Sequence, residues 1–175
     1  TALGYGGTFL AFTYLAPILQ DVTGLPANAV SLVLLVYGVS VAIGNLWGGR
    51  MADRMGPVPA LKRIFGLLAL VLFVLTFTAY NTWLMLLTVL ALGAVAFGNV
   101  PGLQVYVVKQ AQRYAPQATD VASGLNIAAF NVGIAMGASL GGLVVEHIGL
   151  MHTPWLGALV VVPVSYTPLT LPTKA

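Results

Sequence analysis

Long apolar stretches alternate with short polar segments along the whole chain. A membrane-spanning helix needs roughly 20 consecutive, mainly apolar residues, because each residue advances the helix by about 1.5 Å. The pattern therefore predicts an all-α membrane protein whose last helix is truncated. The predicted helices cover approximately residues 2–19, 27–47, 64–80, 82–108, 118–145 and 153–164.

Charge and turn-forming residues define the two longest predicted connections. Residues 48–63 are basic and contain glycine and proline, and residues 109–117 are polar. Both segments are predicted to be loops between helices. Pro26 precedes the second apolar stretch, a position where its missing N–H costs a helix nothing.

The composition restricts the class of protein further. Of the 175 residues, 59% are hydrophobic and 6% are charged, and the mean hydropathy is +0.95. Soluble domains carry about 25% charged residues, and disordered chains are poor in apolar residues, so both classes are excluded. The chain has no cysteine, which excludes disulfides, thiol nucleophiles and cysteine-ligated metal sites.

The basic residues fall on alternate connections. Six of the seven lie in the second and fourth connections, and none lies in the first, third or fifth. Because cytoplasmic loops are enriched in Lys and Arg, both ends of the six-helix unit are predicted to be cytoplasmic. These six residues are Arg50, Arg54, Lys62, Arg63, Lys109 and Arg113.

The two ends of the chain differ from the rest. Residues 165–175 are rich in proline and threonine without helical periodicity, and they resemble a translated sequencing adapter. We interpret residues 1–164 as a transmembrane bundle and 165–175 as a non-native tail; a genuine Pro/Thr tail is the alternative. The start lacks a methionine and a basic segment, which disfavours a signal peptide and predicts that the chain begins inside a longer protein.

The densest cluster of charges is the segment GRMADRMG at residues 49–56. Its carboxylate suits the positive end of a neighbouring helix, and its arginines suit acidic side chains or lipid phosphates. A moving contact and a static membrane anchor are both compatible with this spacing. The candidate residues are Gly49, Arg50, Asp53, Arg54 and Gly56.

This segment resembles the signature loop of the major facilitator superfamily, although Pro57 and Val58 replace the final basic pair. The resemblance implies a conformational latch after the second helix of a six-helix half. Residues 13–20, 99–104 and 126–131 further resemble the second half of bacterial drug/H+ antiporters of the arabinose-efflux-permease type. The implied fold is therefore a C-terminal six-helix half with a 3+3 inverted repeat.

The resemblance also implies a function. It is the secondary active efflux of a small molecule, a sugar or a drug, by alternating access and coupled to protons. It implies the inner membrane of a bacterium, no cofactor, and an N-terminal six-helix half as partner. A non-transporting scaffold or sensor and an inactive partial gene product are the alternatives. The chain has no sequence motif of an intramembrane enzyme and no continuous basic patch for nucleic acid.

Polar side chains within the predicted spans are candidates for a substrate cavity. An amide inside a membrane must find a partner, so it either joins two helices or faces a cavity. The sequence leaves both uses open, and the resemblance favours a cavity role for Tyr14 and Gln104. The full candidate set is Tyr14, Asn45, Gln104, Asn126 and Asn131.

Two further features concern the bundle itself. Gly133, Gly137 and Gly141 follow one another at four-residue intervals, which predicts close helix packing. No Asp, Glu or His lies in the middle of a predicted span, so a proton-binding group is expected in the missing half. His147 and His152 are too few to predict a metal site.

Overall fold

The computed structural model describes residues 1–166, and this part of the chain is helical without β-strands. Five segments are long and apolar enough to cross a membrane, and the last helix, of 15 residues, is shorter than a span requires. The prediction of an all-α protein is confirmed. The helices are α1 (Ala2–Phe12), α2 (Leu15–Pro17), α3 (Ala27–Met55), α4 (Pro57–Thr78), α5 (Thr82–Tyr114), α6 (Thr119–His147) and α7 (His152–Tyr166).

The first span is a broken helix rather than the continuous one predicted for residues 2–19. It consists of α1, α2 and a π-helical turn, Ile18–Val22. Pro17 has no N–H to donate to the carbonyl of Thr13, and its ring crowds that carbonyl, so the helix breaks at Tyr14. The span ends at Gly24, whose φ of +78° favours glycine.

The loop predicted at residues 48–63 is wrong. Helix α3 continues to Met55, α4 begins at Pro57, and Gly56 alone interrupts them with φ +86°. The charges misled the prediction because α3 has 29 residues and is about 43 Å long, whereas the hydrocarbon core is roughly 30 Å thick. The helix is therefore long enough to continue through the charged residues after its apolar stretch ends.

The connection predicted at residues 109–117 is shorter in the structure than predicted, because the preceding helix again continues through its charged residues. Helix α5 reaches Tyr114, and a 3₁₀ turn, Pro116–Ala118, leads directly into α6. The predicted tail is also partly helical, since Ser165 and Tyr166 complete α7. Residues 167–175 of that tail lie outside the described residues.

The helices pack in a pattern with internal symmetry. The most extensive contacts join α3 to α5, α1 to α6 and α4 to α7, followed by α4 to α5 and α1 to α7. The first, second and third spans correspond to the fourth, fifth and sixth. When corresponding spans are exchanged, the α3–α5 pair becomes the α6–α1 pair, and the α4–α7 pair stays the same. The packing therefore has the arrangement of a 3+3 inverted repeat.

Burial is uneven among the spans. The best-buried side chains are concentrated on α4 and α5, where Phe65, Leu68 and Leu92 are inaccessible or almost so. Helices α3 and α6 bury much less of their length than the other spans. Leu35 on α3 and Leu125 on α6, for example, are about two-thirds exposed. These two helices occupy equivalent positions in the inverted repeat.

Candidate functional site

Four polar side chains form a hydrogen-bonded row where α1, α5 and α6 meet. Thr1 donates from its hydroxyl to Oδ1 of Asn126 over 2.6 Å, and Asn126 donates from Nδ2 to Oε1 of Gln104 over 3.0 Å. Gln104 in turn donates from Nε2 to the hydroxyl oxygen of Ser123. We refer to Thr1, Gln104, Ser123 and Asn126 as the amide layer. It joins three helices through side chains that cannot exchange these bonds for water inside a membrane.

A group of aromatic rings lies next to the amide layer, one to two helical turns away. Tyr5 follows Thr1 by four residues, Phe130 follows Asn126 by four, and Phe97 precedes Gln104 by seven. These spacings keep each ring on the same helix face as its polar neighbour. Tyr5 meets Phe130 edge-to-face at 4.3 Å and Phe97 at 6.2 Å between ring centroids. With Phe9, which stacks at 6.1 Å from Tyr5, these rings form the aromatic layer.

The Tyr5 hydroxyl belongs to the aromatic layer and has no hydrogen-bond partner within residues 1–166. The side chain is 3% exposed, and an unpaired buried hydroxyl costs about 1–3 kcal/mol. A methyl group at Gly133 would lie 3.0 Å from Cβ of Tyr5, whereas the Tyr5 ring meets Phe130, which is closer along α6 to Asn126.

The other candidates for a substrate cavity lie elsewhere. Tyr14, which lies at the break between α1 and α2, donates from its hydroxyl to the carbonyl of Ala138 on α6 over 3.0 Å. Asn45 and Asn131 each donate to a carbonyl four residues earlier in their own helix. The five predicted residues therefore do not form one cluster, because short amide side chains can satisfy themselves locally. Only Gln104 and Asn126 are in contact.

The charged segment predicted as a latch occupies the end of α3. Gly49 lies in its last two turns, and the side chains of Arg50, Asp53 and Arg54 are exposed there. In the described part of the chain these three side chains form no hydrogen bond or ion pair. Gly56 provides the break that follows. The two arginines border an open groove of about 330 Å³, which is also lined by Trp47, Met51 and Met55.

Comparison with known protein families agrees with this architecture. The family model of the major facilitator superfamily matches residues 1–173. The chain belongs to this superfamily. No solved structure is significantly similar to the chain.

Several curated members of the superfamily are similar to the chain. It is 57% identical over 162 residues to "Uncharacterized MFS-type transporter YtbD" of Bacillus subtilis, which covers 93% of the chain and 41% of that protein. It is 37% identical over 161 residues to "Inner membrane transport protein YdhP" of Escherichia coli K12, covering 91% and 40%. It is 32% identical over 151 residues to "Probable sugar efflux transporter" of Pasteurella multocida, covering 86% and 36%. The chain thus spans about two-fifths of these relatives.

The predicted glycine row of this superfamily member lies against the first span. A methyl group at Gly133 would lie 2.5 Å from the carbonyl oxygen of Ala2, and one at Gly141 would lie 2.8 Å from that of Leu10. A methyl group at Gly137 would overlap the backbone of Gly6. The α1 and α6 backbones therefore approach more closely than any side chain allows.

Sequence reasoning missed the equivalent contact of the other repeat and the whole aromatic layer. Gly44 and Gly48 on α3 face the backbones of Ala94 and Gly98 on α5, where no Cβ fits. Their four-residue spacing was a usable signal. The aromatic layer gave no comparable signal, because its rings come from three separate spans and each is individually typical of an apolar helix.

Proposed function

We propose that this chain is one half of a secondary transporter that exports a small neutral molecule, of the size of a sugar, by alternating access. The observation that carries the proposal is the amide layer, a polar junction of α1, α5 and α6 inside an apolar bundle of the major facilitator superfamily. Transporters of this fold bind substrate near the bilayer midplane between two halves. The sugar-sized substrate follows the printed name of the Pasteurella multocida relative.

The partner in this proposal is a second six-helix half. The chain corresponds to 41% of the Bacillus subtilis relative, so most of a whole transporter lies outside it. Helices α3 and α6 leave their apolar faces uncovered and are related by the inverted repeat. Such symmetry-related faces suit a partner that flanks the bundle on both sides, with lipid covering the remainder.

Within the bundle, Gln104 and Asn126 are the proposed substrate contacts. Both are amides that offer a donor and an acceptor, and both lie at the helix junction rather than on a single helix face. Tyr14, Asn45 and Asn131 take structural roles in this proposal. Tyr14 links the break of the first span to α6, and the two asparagines bond to their own helices.

The exposed charges at the end of α3 are the proposed conformational latch. Asp53 and Arg54 have no partner within residues 1–166, so both are available to the other half in one of its two positions. The positive-inside rule, applied to the six basic residues of the second and fourth connections, supports a cytoplasmic position for this end. Both ends of the bundle then face the cytoplasm of a bacterial cell.

Proton coupling in a membrane bundle usually relies on a buried acidic or basic side chain, and residues 1–166 carry none in the middle of a span. Asp21, Asp120 and Glu146 lie at the ends of the described spans, and Asp53 lies in the latch. We therefore place the proton-binding group in the other half. Transport would combine a substrate junction in this chain with a proton site in its partner.

Flux in everted membrane vesicles tests the proposed function. Vesicles from cells that produce this half together with a partner half are energised with a proton gradient and supplied with radiolabelled neutral sugars. We expect accumulation that collapses when a protonophore is added and that falls when Asn126 is replaced by alanine. Vesicles with inserted protein but no gradient-dependent flux would contradict the proposal and favour a scaffold, a sensor or an inactive partial product.

A further inference from the structure

The groove at the end of α3 contains two cations and no anion to balance them. Arg50 and Arg54 border this groove of about 330 Å³, and both are exposed. Neither forms an ion pair or a hydrogen bond within residues 1–166. Asp53, the nearest acidic side chain in the sequence, does not line the groove. Because the two arginines are four residues apart, they share a helix face and can bind the same anion.

The rest of the groove is apolar. Trp47, Met51 and Met55 complete its lining. The Trp47 ring is braced on α5, because a Cβ at Gly98 would meet its Cε3 atom at 3.5 Å. The indole N–H has no acceptor within residues 1–166, so it is a further donor to a ligand. The groove therefore presents an apolar wall beside two guanidinium groups.

We propose that this groove binds an anionic phospholipid of the cytoplasmic leaflet, with the phosphate between Arg50 and Arg54 and the start of the acyl chains against Trp47 and the methionines. Guanidinium groups bind phosphate through paired N–H donors. From Trp47 to Arg54 the helix advances about 10 Å, and one headgroup region of a bilayer is roughly 5–8 Å thick. The groove thus extends over the depth at which a phospholipid changes from acyl chain to phosphate, where tryptophan is also enriched.

The charges around the groove favour an anionic headgroup over a zwitterionic one. Residues 48–63 contain four basic side chains and one acidic side chain. Phosphatidylethanolamine would add an ammonium group, and within residues 1–166 no carboxylate lines the groove to receive it. Phosphatidylglycerol carries the same phosphate without a cation. Basic side chains next to a span are attracted to anionic lipids of the cytoplasmic leaflet in general, and here two of them border a defined groove.

The lipid site goes beyond the proposed transport function and shares one residue with the latch. Arg54 belongs to both, so lipid binding and closure of the latch compete for it. Asp53 lies outside the groove and stays available to the other half. An acidic side chain of the other half is the competing occupant of the groove. A carboxylate would use only the guanidinium groups, whereas a phospholipid also covers the apolar wall.

Native mass spectrometry of this half, purified in detergent with a partner half, tests the proposal. The complex is titrated with dioleoyl phosphatidylglycerol, with dioleoyl phosphatidylethanolamine and with glycerophosphoglycerol, which is the first headgroup without acyl chains. Phosphatidylglycerol should bind at least tenfold more tightly than either of the others. Arg50→Gln combined with Arg54→Gln should raise its Kd about tenfold or more, because two charge-assisted hydrogen bonds are lost.

Lys62→Gln combined with Arg63→Gln is the matched control. Both residues are exposed near the start of α4, and their replacement removes the same charge without touching the lining of the groove. This control should change the Kd of phosphatidylglycerol less than threefold. Thermal unfolding checks that both double variants remain folded, as expected for exposed side chains.

Four results would overturn the proposal. Equal losses in the two double variants would mean a general attraction between charges, and an unchanged Kd in the arginine variant would place the lipid elsewhere. Equally tight binding of glycerophosphoglycerol would make the groove a site for free phosphate esters. Loss of the partner half from the arginine variant, with lipid binding unchanged, would assign the groove to an acidic segment of that half. Flux in vesicles is independent of these outcomes, so lipid binding and transport can fail separately.

Discussion

Nδ2 of Asn126 donates a hydrogen bond to Oε1 of Gln104 across 3.0 Å, and this contact joins α6 to α5. Asn126 also accepts from Thr1, so a single side chain connects three helices. Of the five polar residues that the sequence offers as a cavity, this is the one pair in contact within the described chain. Gln104 and Asn126 differ from Asn45 and Asn131 in where they lie, because their side chains meet between two helices, and not in their amide chemistry.

Asn126→Ala should destabilise the bundle and impair transport. The substitution removes two hydrogen bonds and leaves an acceptor of Gln104 unpaired, which should lower the free energy of unfolding by about 1–2 kcal/mol. Equilibrium unfolding in mixed detergent micelles measures the change. Asn131→Ala is the control, because Asn131 is exposed and donates only to the carbonyl of Ile127. Equal losses in the two variants would argue against a special role for the amide layer.

Gly137→Ala should separate α1 from α6. A methyl group there overlaps the backbone of Gly6, which cannot move aside like a flexible side chain, so we expect a loss of about 1–3 kcal/mol. Gly124→Ala on the same helix should have the opposite effect, because its Cβ would meet nothing within 4 Å and alanine favours the helix by about 0.5–1 kcal/mol. Thermal unfolding of both variants measures the difference. A stable Gly137→Ala protein would show that these backbones are less tightly packed than described.

Gly56→Ala should destabilise the junction between α3 and α4. Gly56 has φ +86° and ψ 158°, a conformation that is essentially restricted to glycine, so a Cβ adds about 1–3 kcal/mol of strain. The helical Gly66, whose Cβ would meet no atom within 4 Å, supplies the control variant Gly66→Ala. Protease sensitivity at the junction and thermal unfolding both report the effect. Indistinguishable behaviour of the two variants would mean that the junction adapts its backbone.

Asp53→Asn should impair transport without affecting insertion or abundance. Asp53 is exposed and has no partner within residues 1–166, so the fold of this half does not depend on its charge. Flux in everted vesicles, normalised to protein by immunoblot, measures the effect. Asp120→Asn removes another exposed carboxylate, at the start of α6, and should preserve flux. Normal flux in the Asp53 variant would exclude the latch.

Composition and periodicity were sufficient to predict the helical class and the number of apolar segments. The positions of the helix ends were not predictable. The charged residues at 50–63 mark the end of an apolar stretch, but the helical backbone continues through them. The break at Tyr14 depends on Pro17, which interrupts a segment whose apolar pattern alone predicts a continuous helix. In both cases the structure differs from the prediction because the helix ends or breaks at other residues than those where the apolar pattern ends.

The candidate site was predictable only in part. Gln104 and Asn126 are recognisable as amides in apolar spans, but nothing along the chain distinguishes them from Asn45, which bonds to its own helix. The unpaired hydroxyl of Tyr5 becomes visible only when its surroundings are known. A partner that lies on another helix leaves no local pattern in the sequence.

The pairing of helices also constrains how the chain is made. Each main pair combines one helix from each repeat, so the first three spans leave the ribosome before α5 and α6 exist. Thr1 and its partner Asn126 are 125 residues apart, and α1 presents its bare glycine face to lipid until α6 is inserted. Neither repeat can form its main helix contacts without the other. Of the three main pairs, the one between α1 and α6 is separated by the longest stretch of chain, so during synthesis α1 waits longest for its main partner.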